Sequence, residues 1–89
     1  MRFTWDEPKR RLNFKDHGLD FADAVRVFDG VTYSYEDDRF HYDEQRFVTL
    51  GLLDGIPVSI VHTESKSRIH IISFRKATRR ETNILFENL

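Results

Sequence analysis

The period of the apolar positions changes along the chain, and each change marks a predicted element. Residues 2–5 alternate between apolar and polar, as a short strand does. The Asp-Glu-Pro sequence at 6–8 then supplies an N-cap followed by two residues that suit the first turn of a helix. We therefore predict a helix from Glu7 to Asp16, ended by Gly18, with Leu12 as its clearest core contact.

A second helix and a series of strands follow. Asp20 caps the segment 20–28, whose apolar residues recur at helical spacing. Beyond it, short alternating or apolar runs are separated by a polar loop at 36–44 and by Asp54-Gly55, which is a strong signal for a tight hairpin. The predicted strands are 31–37, 45–53 and 56–63.

The segment Ser67 to Glu81 carries the most distinctive chemistry of the chain. It begins as a β-branched strand, places Arg75 and Lys76 in a short connection, and starts a last helix at about Ala77 that runs to Asn88. The complete order is β-α-α-β-β-β-β-α, which predicts one α+β domain over residues 1–89, with a twisted antiparallel sheet packed by helices.

Composition excludes several classes of protein. Of the 89 residues none is cysteine, so disulfides and thiolate metal sites are excluded. No apolar run reaches the ~18–20 residues of a membrane span, and the first residues lack the apolar core of a signal peptide. We expect a cytoplasmic protein with no membrane association.

The net charge of −1 conceals an uneven distribution. Residues 29–54 carry seven acids against two arginines, whereas residues 66–80 carry six cations, one histidine and no acid. Arginines in the first turn of the last helix oppose its dipole. We therefore expect a molecule with one acidic and one basic end, the latter holding a polyanion; the alternative is a solvated helix face.

Scattered residues, taken in order and spacing, resemble the BrnT family, the toxin half of a bacterial type II toxin–antitoxin pair. They are Trp5, Asp6, Lys9, Asn13, His17, Gly18, Phe21, Phe28, Arg46, Gly51, Thr63, Glu64, Arg68, Ile69, Ile72, Ser73, Arg75, Ala77 and Glu81. The chain departs from the family at Asp16, Ser65 and Leu85, where lysine, arginine and tyrosine are usual.

The resemblance implies a RelE-like fold and a ribonuclease that needs no metal or other cofactor and stops translation. It also implies neutralisation by a ribbon–helix–helix antitoxin, through which alone the chain would contact DNA. The altered Ser65 and Leu85 positions motivate an alternative, a catalytically degenerate homologue that binds the antitoxin and helps to regulate its operon.

Cleavage of RNA by its own 2′-hydroxyl requires cations on the phosphate, and guanidinium forks bind two phosphate oxygens at once. We predict that Arg68, Arg75 and Arg79 converge on one pocket in this role. The predicted RNA-binding residues are Lys9, Lys66, Lys76 and Arg80.

The acid and base remain open between histidines and one carboxylate. His17, His62 and His70 have suitable intrinsic pKa values. The resemblance favours His17, which shares a helix face with Lys9. Glu81 is placed with the catalytic residues, with an ion-pair anchor as the alternative role.

Two weaker interpretations concern the middle of the chain. The acids of the 36–44 segment lack the spacing of a known metal loop, so a solvated loop is the stronger interpretation. The phenylalanines and Trp5 are expected in the core, whereas Tyr33, Tyr35 and Tyr42 are candidates for an exposed sheet face.

Overall fold

The computed structural model describes residues 1–39 and 43–89, and Tyr42 therefore lies outside the described residues. The order of elements is the predicted one. They are β1 (Arg2–Thr4), α1 (Glu7–His17), a 3₁₀ turn (Phe21–Asp23), α2 (Ala24–Phe28), β2 (Tyr33–Glu36), β3 (Phe47–Leu53), β4 (Ile56–Ser65), β5 (Arg68–Lys76) and α3 (Arg79–Glu87). Gly18 ends α1 and Asp54-Gly55 forms the tight turn, all three at positive φ, as predicted.

The five strands form one sheet in the order β1-β5-β4-β3-β2. Strands β2 to β5 pair antiparallel, but β1 pairs parallel to β5, so the prediction of an antiparallel sheet is wrong for this strand. Hairpin signals fix only the strands that follow one another in sequence. The partner of β1 is instead the last strand of the sheet, and no local pattern encodes that pairing.

The end of β5 also differs from the prediction, because Arg75 and Lys76 continue the strand instead of leaving it. Strand β1 pairs only with the first residues of β5. Further along the same edge of β5, the Asn13 side chain hydrogen-bonds to the strand. The Asn13 side chain accepts a hydrogen bond from the Phe74 backbone N–H (3.1 Å) and donates one to its carbonyl oxygen (2.8 Å). Helix α3 then begins at Arg79, after the cap residue Thr78.

Helices cover both faces of the sheet. The first face, packed by α1 and α2, carries the larger core, in which Phe21, Val27 and Phe74 are fully buried. Helix α2 lies so close to β3 that a Cβ at Gly51 would sit 2.6 Å from Val27 Cγ1. Leu12 is 57% exposed and contributes no core contact, because the buried side of α1 is instead occupied by Asn13.

The second face is covered in part by α3, whose Leu85 is buried against Val48 and Leu50. Tyr33 and Tyr35 lie on this face, since they pair in register with Leu50 and Val48. Within the described residues, no helix is both long enough and apolar enough to cross a membrane. The RelE-like topology stays a prediction.

Candidate functional site

A cleft of about 440 Å³ opens on the second face, between α3 and the loop that follows β2. Its floor is formed by Val48 and Val61 of the central strands, and its walls carry charged side chains. The lining residues are Tyr35, Glu36, Asp37, Asp38, Arg39, Val48, Val61, Arg75, Thr78, Arg80, Glu81 and Ile84. Three of the predicted site residues, Arg75, Arg80 and Glu81, therefore meet in one concavity.

Arg75 and Glu81 form a two-pronged ion pair in this cleft. Arg75 Nη1 lies 2.8 Å from Glu81 Oε1, and Nη2 lies 2.9 Å from Oε2. Glu81 also joins the cap of α3, because it accepts a hydrogen bond from the Thr78 backbone N–H while its own N–H bonds to the Thr78 hydroxyl. The helix start and the strand end are thereby held in one geometry.

The Glu81 carboxylate is ionised in this arrangement. Its partial burial by itself raises the pKa, but the hydrogen bonds from Arg75 and Thr78 and the Arg75 charge outweigh that effect and hold the pKa below its usual value. The structure thus gives Glu81 the contacts of an anchor for Arg75. A catalytic role for Glu81 stays a prediction.

Arg75 keeps two donors that its protein partners do not use. Glu81 takes one N–H from each terminal nitrogen, and the Lys76 carbonyl oxygen takes a second N–H from Nη1 at 3.1 Å. The Nε–H and the remaining Nη2–H lie along the same edge of the planar guanidinium group. They make no hydrogen bond to any residue that the structure describes, so one fork of Arg75 is available to a ligand.

The loop after β2 brings acids to the same cleft. Asp37 is buried and receives hydrogen bonds from Arg39 Nε (2.7 Å) and Nη2 (2.9 Å). Glu36 and Asp38 also line the wall. The expected separation into an acidic and a basic end is therefore wrong at this end of β5, because acids of the 36–38 segment line the same cleft as Arg75 and Arg80.

Tyr35 adds a neutral proton donor to the cleft. Its pKa is raised above the ordinary value, first by burial and then by the negative charge of Glu81, so its hydroxyl keeps its proton at neutral pH. From the sequence, Tyr35 was only a candidate for an exposed sheet face, whereas it lines the cleft. Tyr35 is in register with Val48, on the side of the sheet that α3 covers, and this pairing would have indicated its place in the cleft.

Arg68 and Lys66 lie away from this cleft, at the other end of β5. Arg75 follows Arg68 by seven positions, which is roughly 23 Å along a strand. The predicted convergence of Arg68 and Arg75 on one pocket is therefore wrong. Arg79 and Lys76 are exposed and do not line the cleft. Roles for these residues in RNA binding or catalysis stay predictions.

His17 and Lys9 occupy a third place, a shallow hollow beside the edge of β5. As predicted they share a face of α1 with Asn13, and all three line this hollow together with Ile72. Asn13 itself is committed to the fold through Phe74 and through a 3.1 Å hydrogen bond to the Leu19 carbonyl. His17 thus lies at the end of α1 and does not line the Arg75 cleft. Its catalytic role stays a prediction.

The two remaining candidate histidines have opposite surroundings. His62 is fully buried on the first face, with its Nε2 2.7 Å from Thr49 Oγ1 and its ring against Phe28 and Phe47. Burial lowers the pKa of His62 to about 4, which suits a neutral core residue. His70 lies on the second face, with Nδ1 2.7 Å from Thr4 Oγ1.

Among the described residues no three His, Cys, Asp or Glu side chains are grouped as a metal site requires. The cleft presents an anchored guanidinium with a free fork, two further arginines and a protonated phenol, beside the carboxylates of Glu36, Asp37, Asp38 and Glu81. The free fork and the phenol suit an anionic ligand that must be oriented and given a proton.

Comparison with known proteins agrees with that chemistry. A search of curated proteins found no match. One family model matches residues 5–81, and its description is "Ribonuclease toxin, BrnT, of type II toxin-antitoxin system". Because the match spans most of the 89 residues, from Trp5 to Glu81, the chain belongs to the BrnT family of ribonuclease toxins.

Proposed function

We propose that this chain is an endoribonuclease that works without a metal ion, and that it inhibits translation by cleaving RNA in the cytoplasm. The scissile phosphate binds in the cleft between α3 and the sheet. The observation that carries this proposal is the free fork of Arg75, a side chain that Glu81 holds in place and that lines a concave site.

Arg75 stabilises the charge that develops as the 2′-hydroxyl attacks phosphorus. The P–O5′ bond breaks, and the products are a 2′,3′-cyclic phosphate and a free 5′-hydroxyl. A prepositioned donor of this kind is worth ~3–4 kcal/mol in the transition state. Arg80 lines the same cleft and adds positive charge near the neighbouring phosphate.

Tyr35 donates the proton that the leaving 5′-oxygen requires. Its phenol stays protonated at neutral pH, which is the form that an acid needs. The proton of the attacking 2′-hydroxyl passes to solvent or to the carboxylates at the rim of the cleft, Glu36 and Asp38. The phenolate then recovers its proton from water.

The partner that controls this activity is an antitoxin of the ribbon–helix–helix type, through which the pair contacts DNA. We assign its inhibitory segment to the Arg75 cleft, where it excludes RNA. The presence of both arginines and acids on the cleft walls favours a segment of mixed charge over a purely acidic one.

The direct test is cleavage of a labelled RNA by the purified chain in excess EDTA. We expect cleavage at an undiminished rate and fragments that end in a 2′,3′-cyclic phosphate. Cleavage that depends on added Mg²⁺, or fragments with 5′-phosphates, would contradict the mechanism. A chain that binds its antitoxin but neither cleaves RNA nor arrests growth supports the alternative, a degenerate binding module.

A matched pair of tyrosines tests the proton donor. Tyr33 and Tyr35 lie on the same strand and face, with ring centroids 6.1 Å apart, but only Tyr35 lines the cleft. We expect Tyr35→Phe to lower kcat on the order of 10²-fold, as for loss of a general acid. Tyr33→Phe should leave kcat unchanged. Equal effects of the two substitutions would exclude the assignment.

A further inference from the structure

The far end of β5 carries a second group of cations, which the cleft does not use. Arg2 and Arg68 are in-register partners on the adjacent parallel strands β1 and β5. Lys66 lies in the turn that precedes Arg68, and the Arg2 backbone N–H donates to the Ser67 carbonyl oxygen at 2.9 Å. These residues, which we call the Arg2–Arg68 pair with Lys66, are all exposed.

The two arginines point to the same face of the sheet as the cleft. Their neighbours Phe3 and Ile69 pack into the core of the first face, so Arg2 and Arg68 point the other way. Thr4 and His70, the next pair in register, lie on the same face as the arginines, and Thr4 Oγ1 is 2.7 Å from His70 Nδ1.

No acid among the described residues is paired with these charges. Neither Arg2 nor Arg68 forms an ion pair or a side-chain hydrogen bond with any described residue. The carboxylate of the same hairpin, Glu64, lies on the first face, 3.6 Å from His62 Nδ1. Like charges on adjacent strands destabilise a sheet, so this arrangement costs stability unless an anion binds it.

From this geometry we infer a second phosphate-binding site at the Arg2–Arg68 pair, which holds the RNA backbone several nucleotides from the bond that is cleaved. The inference rests on the proposed ribonuclease function and adds to it the path of the substrate. Adjacent strands are ~4.8 Å apart, so two guanidinium groups can grip one phosphodiester together. The exposed face between Arg68 and Arg75 offers His70 and Thr63 beside this path.

An RNA backbone fits this surface better than an acidic protein segment. Both arginines are exposed, guanidinium forks match phosphate oxygens, and the flanking side chains on this face are hydroxyls and an imidazole.

The test measures binding of a 2′-O-methyl RNA, which lacks the attacking hydroxyl, to the full chain at several salt concentrations. We expect the double variant Arg2→Gln/Arg68→Gln to bind on the order of tenfold more weakly. Its plot of log affinity against log salt should be shallower by about 0.7 per lost phosphate contact. The matched control is Arg11→Gln/Lys15→Gln, which removes two exposed charges from α1 on the other face and should change neither quantity comparably.

Cleavage kinetics separate this site from the cleft. With a long RNA, the double variant should raise KM and leave kcat near the wild-type value. With a substrate of two nucleotides, which cannot reach both sites, KM should not change. A lower kcat on both substrates would overturn the inference, because it would place Arg68 in the chemical step.

Other results distinguish a failure of this phosphate site from a failure of the proposed function. Wild-type protein that neither binds nor cleaves RNA overturns the proposed function and this site with it. Wild-type activity, with equal RNA affinity in the double variant and the α1 control, overturns this site alone. So does a loss of antitoxin affinity with unchanged RNA affinity. If the glutamine variants fold poorly, Arg2→Lys/Arg68→Lys should keep the salt slope and lose only part of the affinity.

Discussion

The two ends of strand β5 carry arginines in opposite electrostatic situations. At the Arg75 end, the guanidinium is paired with Glu81, and Arg39 across the cleft is paired with Asp37. At the Arg68 end, neither Arg68 nor its neighbour Arg2 has an acidic partner among the described residues. Paired arginines are held rigidly in one orientation, whereas unpaired ones are free to follow a ligand.

This difference separates two tasks that a nuclease needs. Positioning a reacting phosphate requires a donor fixed in advance, because a misplaced or mobile group contributes little in the transition state. Holding the rest of a flexible strand requires positive charge with little geometric precision. We assign the first task to the enclosed end of β5 and the second to the open end.

The sharpest test of this division compares the same substitution at both ends. We expect Arg75→Ala to reduce kcat for RNA cleavage by ~10²–10³-fold, the usual cost of removing one prepositioned donor. Arg68→Ala should act on KM. Single-turnover cleavage and equilibrium binding distinguish the two. Arg75→Lys is the control for charge, and it should recover only part of the rate because it lacks the fork. Equal losses of kcat at both ends would break the comparison.

The sequence indicated the elements of this fold more fully than their spatial relations. The change of period and the Asp54-Gly55 turn were sufficient for the order of strands and helices, because both act over a few residues. The parallel pairing of β1 with β5 joins residues 66 positions apart, as in Thr4 and His70, and left no local signal. Leu12 was predicted to be a core residue only because its side chain is apolar, and it is exposed.

The site was predictable in composition and not in arrangement. Arg75, Arg80 and Glu81 were recognisable as neighbours in sequence, and they do meet. The acids of residues 36–38 lie far from them in sequence, so their approach to the same cleft depends on the pairing of β2 at the sheet edge. A charge count along the chain therefore predicted two oppositely charged ends, whereas acids of the first segment and arginines of the second line the same cleft.

A second prediction extends the contrast between enclosed and open groups to histidines. His62 is fully enclosed, and its pKa in the folded state is about 4, compared with 6.5 when unfolded. Because the unfolded state binds the proton more readily, the stabilisation by neutral His62 is complete above about pH 6.5 and is lost as the pH falls towards 4. We expect this titration to lower the free energy of unfolding by about 2–3 kcal/mol between about pH 7 and pH 4.5.

The measurement is urea unfolding at the two pH values. His62→Gln should lose most of this pH dependence, because the amide keeps a hydrogen bond to Thr49 and cannot bind the proton. His70→Gln is the control from the second face, and its stability should show the wild-type pH dependence because His62 is still present. The same slope in all three proteins would mean that carboxylates alone cause the acid destabilisation.

A third prediction concerns the ion pair that fixes Arg75. Glu81→Gln keeps a side chain able to cap α3 but removes the charge that holds the guanidinium, and we expect a loss of ~1–2 kcal/mol at neutral pH. Since the folded-state pKa of Glu81 is depressed, the stabilisation is present above its unfolded pKa of 4.5 and disappears as the pH falls through the folded value. The difference between wild type and variant should therefore shrink in acid.

Arg68→Gln is the counterpart at the open end, where no partner is lost. Its free energy of unfolding should stay at the wild-type value or rise slightly, because the repulsion from Arg2 is relieved. A cost at Arg68 as large as that at Glu81 would show that the open end is also held by an ion pair. Thermal unfolding in low salt gives the most sensitive comparison.

The smallest expected effect is at Ser59, a buried residue beside Arg75 in the sheet. Ser59 is in register with Arg75 and is buried, yet its hydroxyl has no hydrogen-bond partner among the described residues. Ser59→Ala removes a desolvated polar group without opening a large cavity, so stability should be unchanged or higher by up to ~1 kcal/mol. Thr49→Val is the contrasting control, because the Thr49 hydroxyl lies 2.7 Å from both Ser34 Oγ and His62 Nε2, and its loss should destabilise the fold. A clear destabilisation by Ser59→Ala would mean that the hydroxyl supports the anchored end of β5, and that Glu81 is not the only side chain that fixes Arg75.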